Sequence, residues 1–310
     1  MNLKSLIKPA ICFVILLIIF FITWLIISKF RGNKQNILTE EEQLAVKISD
    51  MPPNLKPIRD WFVQDFDISA KSAICTEGEG VNYKVLFQEN RNERLSIASL
   101  TKLMTALVVL ENYDLNQVIT ISNDAVNQPG GQGFLKVGEM FTVKSLLYSA
   151  LMESNNDAVY SLAETIGVGK FVDLMNSEAF KLGLEQTNFV EPTGMSPDNY
   201  SSVQDLVKLT RYLLESQPLI WEILSQKSFR VSTSDKNFHH EVLNTNELLE
   251  KIPNIIGGKT GQTDEAKGCL LLVLNNPKTQ NNMICIILGS NDRFGEMEKL
   301  INWVNQAYRW

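Results

Sequence analysis

Residues 97–106 read IASLTKLMTA and open a strongly apolar segment of the chain. Apolar side chains continue beyond it at the spacing of a helix with one buried face, which predicts a helix over residues 99–112. Ser99 and Lys102 are three residues apart, so they lie one turn apart on the same face. A lysine in a partly dry site can take the proton of a neighbouring serine hydroxyl, and the start of a helix favours developing negative charge. A capping serine with an exposed lysine would give the same SxxK pattern, which residues 5–8 also match.

Strands are predicted on both sides of this helix, with further helices between them. β-rich runs occupy residues 69–76, 83–88, 255–260, 269–274 and 283–288. Helical periodicity is present at residues 143–153, 158–166, 170–182, 202–215 and 296–308. Short connections between neighbouring strands favour antiparallel pairing. We therefore predict an α+β fold: a five-stranded antiparallel sheet flanked by helices, with an all-helical lobe inserted after its second strand.

The amino-terminal segment predicts a membrane anchor. Residues 9–28 form a run of 20 residues without charge, long enough for a helix to cross the hydrocarbon of a bilayer. A cleaved signal peptide is the alternative, but the run is longer than the usual apolar region and no small-residue cleavage pattern follows it. We expect residues 1–28 to contain a transmembrane signal anchor, residues 29–63 to form a stalk, and residues 64–310 to form the functional domain.

Composition excludes several classes of function. The net charge of the 310-residue chain is −6, although residues 1–36 contain five lysines or arginines and no acid. The remaining chain is therefore strongly acidic and a poor binder of nucleic acid. No phosphate-binding loop, GxSxG motif or CxxC pair is present, and the only histidines are His239 and His240. We expect no metal and no cofactor. Cys75 and Cys285 lie in strand-like runs, where buried thiols or a cross-strand disulfide are both compatible with the sequence.

Two further short motifs contain polar side chains suited to catalysis. Ser154-Asn155-Asn156 lies between two predicted helices, where a hydroxyl and an amide could pass a proton and orient a carbonyl. A helix cap would use the same residue types. Lys259-Thr260-Gly261 lies on a predicted strand, where a cation and a hydroxyl suit a substrate carboxylate and glycine lets a substrate approach the strand. An ordinary strand end is the alternative there.

The three motifs together, in the order SxxK, SxN and KTG, form the set found in class A β-lactamases and penicillin-binding proteins. The chain resembles the D-alanyl-D-alanine carboxypeptidases, which are low-molecular-mass penicillin-binding proteins of the serine DD-peptidase and β-lactamase-like superfamily. Residues 97–106, 138–143, 154–158, 244–246 and 258–269 resemble segments of that family. The likeness extends over about residues 66–308.

This resemblance implies a function and a role for each motif residue. The implied activity is the removal of the terminal D-alanine from peptidoglycan stem peptides through an acyl-serine, with β-lactams as covalent inhibitors. It implies that Ser99 is the nucleophile, Lys102 its base and Ser154 a proton relay. The implied substrate-binding residues are Asn156, Lys259, Thr260, Gly261 and Gln262. The backbone N–H groups of Ser99 and Gln262 would form the oxyanion hole. Since peptidoglycan lies outside the cell membrane, the amino terminus would be cytoplasmic and the catalytic domain extracytoplasmic.

Alternatives to this function remain open at the level of sequence. A membrane-anchored class A-like β-lactamase has the same three motifs, and Glu191 follows the second motif at about the distance of its deacylating glutamate. Residues 191–194 read EPTG, which also predicts a simple turn. A penicillin-sensing protein without turnover would share the fold, although the presence of both Ser99 and Lys102 speaks against it.

Overall fold

The computed structural model describes residues 21–25, 57–80, 82–130 and 134–310. The chain divides into two compact units, Met1–Ile58 and Arg59–Trp310. In the first unit residues 21–25 are helical. The rest of the predicted anchor and most of the predicted stalk lie outside the described residues. Within the described ranges, no helix has both the length and the apolar character needed to cross a bilayer.

The second unit is built on a five-stranded sheet, as predicted. Its strands are β1 Ser72–Glu79, β2 Asn82–Glu89, β3 Ile255–Thr263, β4 Lys267–Asn275 and β5 Asn282–Ser290. Their order across the sheet is β3-β4-β5-β1-β2, and every neighbouring pair is antiparallel. The first and last parts of the chain therefore meet in one sheet, and β3 lies at its edge.

Helices cover both faces of this sheet. They are α1 Lys102–Asn112, α2 Asn123–Val126, α3 Val143–Met152, α4 Asn156–Glu164, α5 Val168–Lys181, α6 Val203–Ser216, α7 Pro218–Leu224 and α8 Arg293–Ala307. Successive strand residues point to opposite faces. Ile74 and Leu271 join the core that includes α1 and α6, whereas Cys75 and Leu270 join the core under α8. Burial on both faces explains why the central parts of β4 and β5 are almost continuously apolar.

The inserted segment is not all helical, so this part of the prediction was wrong. It contains three short antiparallel strand pairs: Leu95–Ser96 with Tyr200–Ser201, Val118–Thr120 with Met140–Thr142, and Ser228–Ser232 with Phe238–Leu243. Strands of two or three residues are too short to show an alternating pattern. In the third pair Ser228–Ser232 alternates polar and apolar residues, but the polar run His239-His240-Glu241 interrupts the alternation in its partner strand. Two-residue strands are also present at Ile58–Arg59 and Tyr308–Arg309.

The cysteines of the sheet are free thiols. Cys75 and Cys285 lie directly opposite each other on β1 and β5, and both are buried and free, as is Cys269. Burial raises the pKa of the Cys75 thiol well above its usual value. The described cysteines therefore pack in the core as small apolar side chains.

Candidate active site

The serine and lysine of the SxxK motif lie at the start of α1, beside the edge strand β3. A 3₁₀ turn, Ala98–Thr101, leads into α1, and Ala98 has a left-handed φ of 46°. Such a conformation costs a non-glycine residue about 1–2 kcal/mol, so the surrounding structure must hold it. Lys102 Nζ lies 3.0 Å from Ser99 Oγ. The predicted pairing of the two side chains on one helix face is therefore present.

Lys102 is fully buried, and its amine has three hydrogen-bond acceptors. They are Ser99 Oγ at 3.0 Å, Asn156 Oδ1 at 2.7 Å and the Thr193 carbonyl oxygen at 2.6 Å. All three are neutral groups, so none of them balances a charge on the amine directly. Burial lowers the pKa of Lys102 to about 7, against a smaller raising effect of the Glu191 charge. An amine with this pKa is half deprotonated near neutral pH and suited to general-base work.

The second motif faces the first across the cleft. Ser154 lies in the break between α3 and α4 with a φ of 64°. Asn155 caps α4, since its Oδ1 accepts from the N–H of Ala158 at 3.1 Å. Asn156 donates through Nδ2 to the Pro129 carbonyl at 2.7 Å. This bond fixes the orientation of the amide, so that its oxygen points to Lys102.

The third motif closes the cleft from β3. Lys259 is buried, and its Nζ donates to Ser154 Oγ at 3.0 Å and to the Thr260 carbonyl at 3.0 Å. Burial, followed by the charges of Lys102 and Arg293, lowers the pKa of Lys259 well below its usual value. A carboxylate arriving beside this amine would relieve that repulsion. Thr260 Oγ1 lies 2.6 Å from Thr245 Oγ1.

Gly261 allows the edge strand to approach the nucleophile. A Cβ on Gly261 would lie 3.0 Å from Ser99 N and 3.0 Å from the Ile97 carbonyl oxygen. Gln262, next along β3, is exposed. The structure therefore brings all eight predicted site residues together where the start of α1, the α3–α4 break and β3 meet.

Arg293 is a site residue that the sequence analysis missed. Its Nη1 donates to the Gly261 carbonyl at 3.0 Å and to Gln262 Oε1 at 2.6 Å. Arg293 begins α8 and follows the KTG motif by a long connection through β4 and β5. No local sequence pattern identifies Arg293. It reaches the site only because the antiparallel strands β3, β4 and β5 bring the chain back to the same end of the sheet.

The histidines lie away from the nucleophile. His240 Nε2 is 3.2 Å from Glu153 Oε1, and His239 Nε2 is 3.2 Å from Glu139 Oε2. No histidine hydrogen bond to Ser99 is present among the described residues, so the group beside the serine is the lysine amine. In the described part of the chain, no cluster of three or more metal-ligating side chains is found.

The fold and site together define the class: a DD-peptidase-like α+β protein with an SxxK serine. The profile of the peptidase S11 family, described as D-alanyl-D-alanine carboxypeptidase, matches residues 60–292. The chain belongs to this family. It is 34% identical over 250 residues to the D-alanyl-D-alanine carboxypeptidase DacF of Bacillus subtilis, an alignment that covers 77% of this chain and 63% of the relative.

Two further similar proteins are matched over most of their own length. The D-alanyl-D-alanine endopeptidase of Pseudomonas aeruginosa is 34% identical over 248 residues, covering 77% of this chain and 78% of the relative. The crystal structure of the Streptomyces K15 DD-transpeptidase matches with a TM-score of 0.71 at 28% identity, covering 79% of this chain and 100% of that structure. Relatives of the chain thus have carboxypeptidase, endopeptidase and transpeptidase names.

Proposed function

We propose that the protein is a serine-type D-Ala-D-Ala carboxypeptidase that removes the terminal D-alanine from peptidoglycan stem peptides. The observation that carries the proposal is the 3.0 Å contact between Ser99 Oγ and the amine of Lys102, whose pKa burial lowers to about 7. Such an amine can deprotonate a serine hydroxyl at neutral pH.

The reaction follows from the contacts around Ser99. Lys102 takes the proton of Ser99 Oγ while that oxygen bonds to the carbonyl carbon between the two D-alanines. The carbonyl then re-forms as the C–N bond breaks, and the proton that Lys102 accepted passes to the leaving amine through Ser154 Oγ. The amine of Lys259 contacts Ser154 Oγ at 3.0 Å. Water then hydrolyses the acyl-serine and regenerates the hydroxyl. The N–H groups of Ser99 and Gln262 are the proposed oxyanion donors.

The edge strand β3 and the second motif are the proposed elements of substrate recognition. Lys259 and Thr260 are the proposed partners of the terminal carboxylate, since a buried amine and a hydroxyl suit that group. Gly261 and Gln262 would line the peptide along the free edge of β3. Asn156 would orient the substrate amide, because its own amide is held between Lys102 and the Pro129 carbonyl. The proposed ligands are stem peptides that end in D-Ala-D-Ala, with β-lactams as inhibitors.

The test uses penicillin and a D-Ala-D-Ala peptide with the full chain. Intact mass should show one penicilloyl group on the wild-type protein and none on Ser99→Ala. Ser5→Ala is the matched control, because residues 5–8 share the SxxK spacing; it should be labelled like wild type. An adduct that persists in Ser99→Ala would contradict the assignment of the nucleophile. Penicillin labelling without release of D-alanine would instead favour a penicillin-sensing protein.

A second candidate for the fate of the acyl-serine is attack by an amine instead of water. The match to a DD-transpeptidase favours testing attack by an amine, and the match to an endopeptidase favours testing hydrolysis of a cross-linked peptide. The same assay run with an added D-amino acid or a cross-linked peptide reports exchange or cleavage beside D-alanine release. We expect hydrolysis of the terminal D-alanine to be the main product.

We also propose the placement of the protein at the cell membrane. The uncharged run of residues 9–28 supports a single membrane-spanning anchor, followed by a stalk to residue 63 and an extracytoplasmic domain from residue 64. Fractionation of cells should recover the full chain with membranes, and protease added to the outside of spheroplasts should reach the catalytic domain. Recovery of the full chain in the soluble fraction would contradict the anchor.

A further inference from the structure

The turn that follows the second motif, residues 191–196, lies directly behind Lys102. Its Thr193 carbonyl accepts from Lys102 Nζ at 2.6 Å, and its Pro192 carbonyl accepts from Thr105 Oγ1 on α1 at 2.6 Å. Gly194 has a φ of 89°, and a Cβ there would lie 2.0 Å from the Ala98 carbonyl oxygen. Residues 191–196 therefore contact both the 3₁₀ turn that contains Ser99 and the amine of Lys102. The conformation of this turn thus affects the position of the nucleophile and of the base.

The side chain of Glu191 holds this turn from the inside. Its Oε2 accepts from the N–H and the hydroxyl of Thr193 at 2.6 and 2.5 Å. Its Oε1 accepts from the N–H of Gly194 at 2.7 Å, from the N–H of Ser196 at 3.3 Å and from Asn199 Nδ2 at 2.9 Å. A carboxylate offers about four lone-pair positions. Those of Glu191 are therefore taken by its own turn and by Asn199, and are not available to activate a water.

We propose that Glu191 is a positioning residue for the Ser99–Lys102 pair: its carboxylate holds the turn that presents the Thr193 carbonyl to Lys102, and it supplies a negative charge beside that buried amine. This inference rests on the proposed function, because it assigns Glu191 a role in the same acylation step. It also separates Glu191 from the deacylating glutamate of a class A β-lactamase.

Two charged groups act on the amine of Lys102 from different elements. Glu191 is on the turn, and its charge opposes the lowering of the Lys102 pKa by burial. Lys259 is on β3, where it and Lys102 are coupled by like-charge repulsion; Arg293 on α8 acts on Lys259 in turn. Removal of the Glu191 charge leaves the amine of Lys102 with its burial and the like charge of Lys259. The pKa of Lys102 should then fall, since the turn offers no other charged group that favours its protonated form.

The experiment is the pH profile of Ser99 acylation by penicillin in the full chain. The acid limb of this profile is the pH range over which the rate rises as Lys102 loses its proton. In Glu191→Gln it should move to lower pH by about one unit, the low end of the pKa shifts that a nearby opposite charge produces. The plateau rate should also fall, because an amide cannot accept the same set of donors. In Glu191→Asp the charge remains one methylene further away, so a smaller shift in the same direction is expected.

Thr193→Val is the matched control, because it loosens the turn by removing one donor to Glu191 while both the carboxylate and the Thr193 carbonyl remain. Its plateau rate is expected to fall, whereas its acid limb should stay at the wild-type pH. An acid limb at the wild-type position in Glu191→Gln would overturn the proposal. If Glu191→Gln does not fold, an acid limb at the wild-type position in Glu191→Asp would overturn the proposal.

Failure of the proposed function would look different. In that case wild type itself would show no acylation that depends on Ser99, whereas the positioning role is tested by the difference between variants that are acylated. A build-up of acyl-enzyme in Glu191→Gln, with unchanged acylation, would assign Glu191 to deacylation and would also overturn the proposal.

Discussion

The acylation rate should follow the protonation state of Lys102. Its amine is fully buried beside Ser99 Oγ, and burial lowers its pKa to about 7. The neutral amine is the form that accepts a proton. The rate constant for acylation by penicillin should therefore be low in acid, rise through about pH 7 and level off above it.

The size of this effect can be worked from the pKa shift. An ordinary lysine with a pKa of about 10.4 is neutral in roughly one molecule in 2,500 at pH 7, whereas Lys102 would be neutral in about half. Burial thus increases the population of active base by about a thousandfold, equivalent to roughly 4–5 kcal/mol of differential interaction. One unit below the midpoint, the rate should fall to about a tenth of the plateau.

Stopped-flow measurement with a fluorescent penicillin, from about pH 5 to about pH 9, gives the profile directly. Lys102→Ala should lose about 10²–10⁴ of the plateau rate, the usual contribution of a general base. Lys170→Ala, at an exposed lysine of α5, is the control and should keep the wild-type profile. A rate that is flat over this range, or that still rises steeply near pH 9, would refute the assignment of Lys102 as the base.

Three other expectations follow from the cleft. Lys259→Ala should lose the preference for a free carboxylate, read as the ratio of cleavage of acid and C-terminally amidated peptides; equal cleavage by wild type would remove the basis for this role. Glu191→Ala should keep a long-lived penicilloyl adduct with deacylation within about tenfold of wild type, about 1.4 kcal/mol, whereas rapid wild-type turnover that collapses in the variant would indicate a β-lactamase. Gly194→Ala should slow acylation by about a hundredfold or more through displacement of the turn. Gly167→Ala is its control, because Gly167 has the same φ of 89° with nothing within 4 Å of a Cβ; equal losses in both variants would show that backbone strain alone is responsible.

Much of the fold was accessible from local patterns. The strands β1 to β5 and the helices α1, α3 to α6 and α8 lie within a few residues of their predicted positions, because the helices have apolar side chains at a clear period and the strands are β-rich runs. The short strand pairs, α2 and α7 were not predicted. Pro218–Leu224 is apolar on almost every side, so it shows no helical period, and its helix depends on the surrounding core.

The residue types of the cleft were also visible in the sequence. Ser99 lies in the 3₁₀ turn that leads into α1, and Lys102 begins α1 three residues later, so their contact is a local consequence of helical geometry. The KTG and SxN motifs were identified because the order of the three motifs matches a known set. The chain therefore determined by itself which side chains could act and on which elements they lie.

The chemistry of those side chains depends on contacts that only the tertiary structure brings together. Lys102 meets the Thr193 carbonyl across 91 residues of chain, and Lys259 meets Ser154 across 105. The contacts of Arg293 and the enclosure of the Glu191 carboxylate within its turn arise in the same way. A lysine pKa near 7 requires removal of the amine from water, and that desolvation is produced by every element packed around the site. No pattern along the chain encodes it, because burial belongs to the assembled core.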